Sequence, residues 1–206
     1  MKTETARIIM GIKKTIVVLM IMATFVVRSF ASGNNKLPEA AMNGDIDAVS
    51  RFLKEGVNPN VRDSNGITAL MYAAERGHIN IVKYLLQSSA DPNVRDSNYG
   101  MTALMVSSAE GHVEVVQLLL EAKADVNAKD NNLGATALLG AAEYGNTEII
   151  DLLIRRGADV NARDKRGFHA LGAASANGHT ASVKVLVASG ANINAQDDKY
   201  GSNALM

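Results

Sequence analysis

The chain has 206 residues, with 21 Lys+Arg, 21 Asp+Glu, no Cys and no Trp. That length suits one domain or two small ones. The missing Cys excludes a disulfide scaffold, a Cys-ligated zinc site, an iron–sulfur cluster and a thiol nucleophile. A net charge of zero argues against a broadly basic nucleic-acid binder. Hydrophobic residues at 47% can fill a core, and aromatics at 4% leave that core to Ala, Leu, Val and Ile.

Residues 1–31 differ from the rest. Lys2, Arg7, Lys13 and Lys14 precede an apolar run from Ile16 to Val27, and Ser29-Phe30-Ala31 follows. The run is 12 residues long, whereas a membrane-spanning helix needs about 20. A basic start, a short apolar stretch and small residues at a cut site are the parts of an export signal. We expect cleavage after Ala31, a short linker over 32–36, and no membrane contact once the signal is removed. Export does not require disulfides.

From residue 37 onward the sequence repeats. Gly44, Gly77, Gly111, Gly145 and Gly178 are spaced by 33 or 34 residues, and so are Gly66, Gly100, Gly134, Gly167 and Gly201. Thr68-Ala-Leu-Met71 recurs as Thr102-Ala-Leu-Met105, Thr136-Ala-Leu-Leu139 and His169-Ala-Leu-Gly172. Apolar runs such as Val115-Val-Gln-Leu-Leu-Leu120 and Ile149-Ile-Asp-Leu-Leu-Ile154 follow each Gly. The units close on Asn60, Asn93, Asn127, Asn161 and Asn194.

Within one unit the residues have separable tasks. Gly66 suits a turn at a loop tip, and Thr68 can cap a helix. The pair Ala73-Ala74 lets helices approach closely, and Gly77 suits the left-handed end of that helix. Ile81, Val82, Leu85 and Leu86 then form the apolar stripe of a second helix. A single unit cannot bury both of its faces, so stability must come from stacking. The first unit is partial, opens on Pro38 and carries Glu39, Asn43, Asp45 and Asp47 as a polar cap.

These motifs resemble the ankyrin repeat, on Gly66-Ile-Thr-Ala-Leu-Met71, Ala73-Ala74, Gly77-His78 and Gly157-Ala-Asp-Val-Asn161. Ala69, Ala103 and Ala137 stand where that family prefers Pro, and Ser89 and Lys123 stand where it has a helix-ending Gly. The resemblance implies an all-α solenoid of stacked helix pairs with β-hairpin finger loops. It would occupy 37–206, with units at 37–65, 66–99, 100–133, 134–166 and 167–200 and a partial sixth at 201–206. We expect that sixth unit to reflect truncation; its alternative is a partner covering the end.

No phosphate loop, G-x-S-x-G or H-E-x-x-H occurs. His78, His112 and His179 fall in separate units, too far apart to share one metal, and read as structural. Asp63, Asp96, Asp130, Asp164 and Asp197 recur once per unit and read as turn formers. We therefore expect no catalytic residue, no metal and no cofactor.

What remains is a surface. In the ankyrin family the finger tips and first helices commonly form a concave protein-binding face, and the matching positions here are the candidates. Tyr99, Leu133, Tyr144 and Phe168 are expected anchors, because large apolar side chains suit interface centres. Tyr99 and Leu133 are extra residues just before the Gly, and each could instead fold back over its own loop. Arg62, Arg95 and Lys129 are expected to orient a charged partner. Ile67, Arg76, Met101 and Arg166 complete the set, with Glu75, Glu110 and Glu143 on the inner wall.

The expected function is non-enzymatic binding of an unknown protein partner in the periplasm or outside the cell. The alternatives are a secreted effector acting on a host protein, and a structural protein that self-associates through its last repeat. The charge balance divides along the same lines. Residues 1–31 hold five basic residues and one acidic one, which leaves 16 basic and 20 acidic residues in the remaining 175. That mildly acidic remainder favours solubility and speaks against a nucleic-acid partner.

Overall fold

The computed structural model describes residues 36–195. The expected leader, all of the expected linker before Lys36, and the partial sixth unit with Tyr200 lie outside the described residues.

Ten helices occur among the described residues, in five pairs. Layer one holds α1 (Lys36–Met42) and α2 (Ile46–Lys54). Layer two holds α3 (Ala69–Glu75) and α4 (Ile79–Gln87). Layer three holds α5 (Ala103–Glu110) and α6 (Val113–Glu121). Layer four holds α7 (Ala137–Tyr144) and α8 (Thr147–Arg155). Layer five holds α9 (Ala170–Ala176) and α10 (Thr180–Ala188). First helices pack on first helices of the next layer, second helices on second helices, and each pair packs internally.

The caps follow the sequence. Thr68, Thr102 and Thr136 accept the amide N–H three residues on, at 3.3, 3.4 and 3.2 Å, which satisfies one of the unpaired donors of a helix start. Burial follows the pattern as well. Leu70, Leu104, Leu138 and Leu171 are fully buried from the first helices, and Leu85, Leu119, Leu153 and Leu186 from the second. Small residues between them set thin layers: Ala73, Ala74, Ala141, Ala142 and Ala174 have no exposed surface. In layer three this pair is Ser107-Ser108; the Ser107 hydroxyl donates back to the Ala103 carbonyl at 2.9 Å, which lets a polar residue occupy the core.

Ser89 and Lys123 adopt φ of +67° and +66°, the left-handed turn that glycine makes in the other units. The connecting loops do not form continuous strands. Among the described residues pairing is limited to single antiparallel bridges, Arg62 with Thr68 and Arg163 with His169. Side chains hold the fingers instead.

Two columns of side chains tie layer to layer. The first is at the helix-pair turns. His78, His112 and His179 place Nε2 against the carbonyls of Met42, Glu75 and Glu143, at 3.4, 2.8 and 3.0 Å. Asn146 does the same in layer four, donating to Ser108 and Ala109 at 2.8 and 2.9 Å. The second column is Asn60, Asn93, Asn127 and Asn161. Each side-chain oxygen accepts the amide of the residue that begins the next finger, Asp91, Asp125, Asp159 or Asn192, at 2.7–2.9 Å. Each side-chain nitrogen donates to Ser89, Lys123, Gly157 or Gly190.

Candidate functional site

The fingers are built around their aspartates. The Asp96 carboxylate accepts the amides of Asn98, Tyr99 and Met101 at 2.8, 2.8 and 2.6 Å. Asp130 repeats this with Asn132, Leu133 and Ala135 at 2.7, 2.7 and 2.6 Å. Asp63 accepts from Asn65 and Ile67, and its second oxygen accepts the Tyr72 hydroxyl at 2.8 Å. Asp164 accepts from Arg166 and Phe168 and pairs with the Arg166 guanidinium at 2.9 Å. Asp96, Asp130 and Asp164 are buried. They are turn-formers, as the sequence suggested.

The neighbouring cations are engaged too. Arg62 donates to the Arg95 carbonyl at 3.1 Å, Arg95 donates to the Lys129 carbonyl and to Asn131 Oδ1, and Lys129 donates to the Arg163 carbonyl at 3.1 Å. Lys165 reaches back to the carbonyls of Asn131 and Asn132 at 2.7 and 3.0 Å. The column read as charged orienters is thus a rail that staples each finger to the next. Sequence reasoning missed this because, Asn131 Oδ1 apart, every acceptor is a backbone carbonyl one repeat away.

The expected anchors divide. Ile67 is 4% exposed and belongs to the core, so its place on the surface is corrected. Its amide is drawn to Asp63 Oδ1 at 2.9 Å, in the tight loop that precedes Thr68. Tyr99, Met101, Leu133 and Phe168 are half-buried. The Tyr99 and Leu133 carbonyls accept the amides of Asn131 and Lys165 at 2.7 Å, so the extra residues also join fingers through their backbone. The Arg166 guanidinium lies 5.5 Å from the centre of the Phe168 ring, within cation–π range. Arg76 is exposed, and Tyr144 is 37% exposed.

The inner wall next to these residues is electrostatically uneven. Glu75 Oε2 is closed off from solvent and has no hydrogen-bond partner. Burial raises the Glu75 carboxyl to about 6; Arg76 pulls it down and Glu110 pushes it up. Burial likewise raises the Tyr144 phenol to about 12, with Glu143 and then Glu110 adding to the rise. Glu110 of layer three therefore acts on Glu75 in layer two and on Tyr144 in layer four. Among the described residues no group of three or more His, Asp or Glu side chains could hold a metal ion. No helix among them is long and apolar enough to cross a membrane.

Stacked helix pairs joined by finger loops, with side chains that tie each layer to the next, define a linear repeat protein. The family model for "Ankyrin repeats (3 copies)" matches residues 37–130 and 129–197. The chain belongs to the ankyrin-repeat family. Ankyrin repeats are in general protein–protein interaction modules and are typically non-enzymatic. A search of the curated proteins finds no match to the chain.

Proposed function

We propose that the chain is an exported, non-enzymatic binding protein that docks a protein partner on the wall formed by α3, α5 and α7 and the fingers beside them. The observation that carries the reading is the contrast between its two candidate surfaces. The finger cations Arg62, Arg95 and Lys129 are committed to carbonyls of this chain. The wall instead offers an exposed Tyr144 beside the carboxylates of Glu143 and Glu110, and Glu110 also acts on Glu75, one oxygen of which is buried with no partner. Tyrosine presents a large rigid surface with a polar tip, and is enriched among residues that dominate binding energy. A partner placing a Lys or Arg side chain beside Tyr144 fits the charge of this wall. Export to the periplasm or beyond rests on the basic, apolar and small-residue segments of 1–31.

The test uses a partner identified by affinity capture with the wild-type mature chain. Tyr144→Ala should weaken its binding roughly 30-fold, as truncation of an anchor does. Arg95→Ala should leave affinity within a few-fold and lower stability instead. Unchanged affinity in Tyr144→Ala with Phe168→Ala would place the interface elsewhere.

A second reading, self-association, is favoured by layer five. Val187 and Ile193 are 44% and 43% exposed there, whereas Leu120, at the place of Val187 in layer three, is 9% exposed. Light scattering of the mature chain that stays monomeric up to high concentration would dismiss it.

A further inference from the structure

Four histidines occur in the chain, and they use their rings in two opposite ways. His78, His112 and His179 each point Nε2 at a backbone carbonyl of the preceding layer. A carbonyl only accepts, so Nε2 carries a proton, and it does so whether the ring is neutral or cationic. Those contacts survive acid.

His169 is the exception. It occupies the cap position of α9, where Thr68, Thr102 and Thr136 stand in the other layers. Its Nδ1 accepts the Gly172 amide at 3.1 Å, and its Nε2 lies 3.3 Å from the Ala195 carbonyl. These partners fix a neutral ring with the proton on Nε2. The residue is 6% exposed. Gly172 belongs to the same arrangement. Met71, Met105 and Leu139 occupy its position in the other layers, and a Cβ on Gly172 would lie 3.3 Å from His169 Cε1. The bulkier cap and the missing side chain go together.

A proton on Nδ1 would turn the acceptor into a second donor aimed at a backbone N–H. A threonine hydroxyl at the cap undergoes no such reversal of role. We propose that His169 is an acid-sensitive latch: its protonation releases the first turn of α9 and loosens the finger residue Phe168 that precedes it. Among the described residues the surroundings offer the cation little compensation. Asp164 is the one carboxylate of residues 162–168, and it is already held by Arg166 and two amides. Arg163, Lys165 and Arg166 in the same finger are cationic. On the helices packed against α9, the titratable groups are Glu143 and Tyr144 at the far end of α7 and Lys184 on α10, with His179 just before α10. Neither α9 nor residues 189–195 carry any.

The experiment is NMR on the full mature chain. Long-range nitrogen–proton correlation at pH 7.5 should give the Nε2–H tautomer for His169. Protection of the Gly172 amide, corrected for intrinsic exchange, should then fall about fivefold or more between pH 7.5 and pH 5, the factor expected for loss of a helix cap. Protection of Leu139, under the threonine cap of α7, should hold over the same range. His169→Thr should abolish the pH dependence at Gly172, and His179→Asn, which copies Asn146 of layer four, should retain it. An Nδ1–H tautomer, or an equal fall at Gly172 in His169→Thr, would overturn the proposal.

Discussion

His112 Nε2 lies 2.8 Å from the carbonyl oxygen of Glu75, so an imidazole of layer three closes the C-terminal end of the first helix in layer two. The last carbonyls of a helix lack intrahelical partners, and this one is supplied from the next repeat. Gly77 makes the contact possible. Its φ is +69°, and a Cβ there would lie 2.7 Å from the His112 ring. Gly77→Ala should therefore cost both the left-handed turn and the contact, roughly 2–3 kcal/mol. Gly157, at φ +91°, has nothing within 4 Å of a Cβ. Gly157→Ala should cost only about 1 kcal/mol. Urea denaturation of the two variants checks the ranking, and equal losses would refute it.

The converse applies at Ser89 and Lys123, which hold left-handed turns with side chains attached. Both are exposed, and only their carbonyls are used between layers. Ser89→Gly and Lys123→Gly should each stabilise by about 0.5–1 kcal/mol, the relief of the turn less the added freedom of the unfolded chain. The double variant should show the sum, measured as a rise in denaturant midpoint.

Glu75 gives the stack a pH dependence of definite sign. Its carboxyl titrates near 6 in the folded chain, above the ordinary 4.5. The folded state therefore holds its proton more tightly, and wild-type stability declines as pH rises from 4.5 through 6. Glu75→Gln should stabilise by roughly 1 kcal/mol above pH 6, after allowing for the solvent that reaches part of the side chain. The gain should vanish by pH 4, where the carboxyl is protonated in both states. Midpoints measured from pH 4 to 8 test this; a gain that persists at pH 4 would contradict it.

Asn127 joins layers through two bonds, from the Asp159 amide at 2.9 Å and to the Gly157 carbonyl at 3.0 Å. Asn127→Ala should cost about 1–3 kcal/mol. Asn127→Asp keeps the acceptor and loses the donor, so it should fall between wild type and Ala. Hydrogen exchange should show the loss centred on the finger from Asp159 onward.

Most of this architecture was legible because each unit repeats local chemistry. Thr caps, Asp turns and paired small residues act within about five residues of themselves, and the sequence displays that range directly. The backbone carbonyls that Arg62, Arg95 and Lys129 reach lie 33 or 34 residues away, so no residue type announces them. Asn146 escaped notice for a similar reason: it fills a histidine's place and makes the histidine's bond. Ile67 was misplaced because an apolar residue beside a loop glycine can face either way. The choice was made by the Asp63 carboxylate, which holds its amide.

The asparagine column has a mechanical consequence. Each rung bonds the layer after its own, so a layer that detaches leaves its neighbour with an amide and a carbonyl suddenly bare. Pulled from its ends, the stack would lengthen in discrete steps, each freeing a unit of about 33 residues, or roughly 110 Å of chain. It would behave as a spring that gives way one coil at a time and recoils by the same rungs.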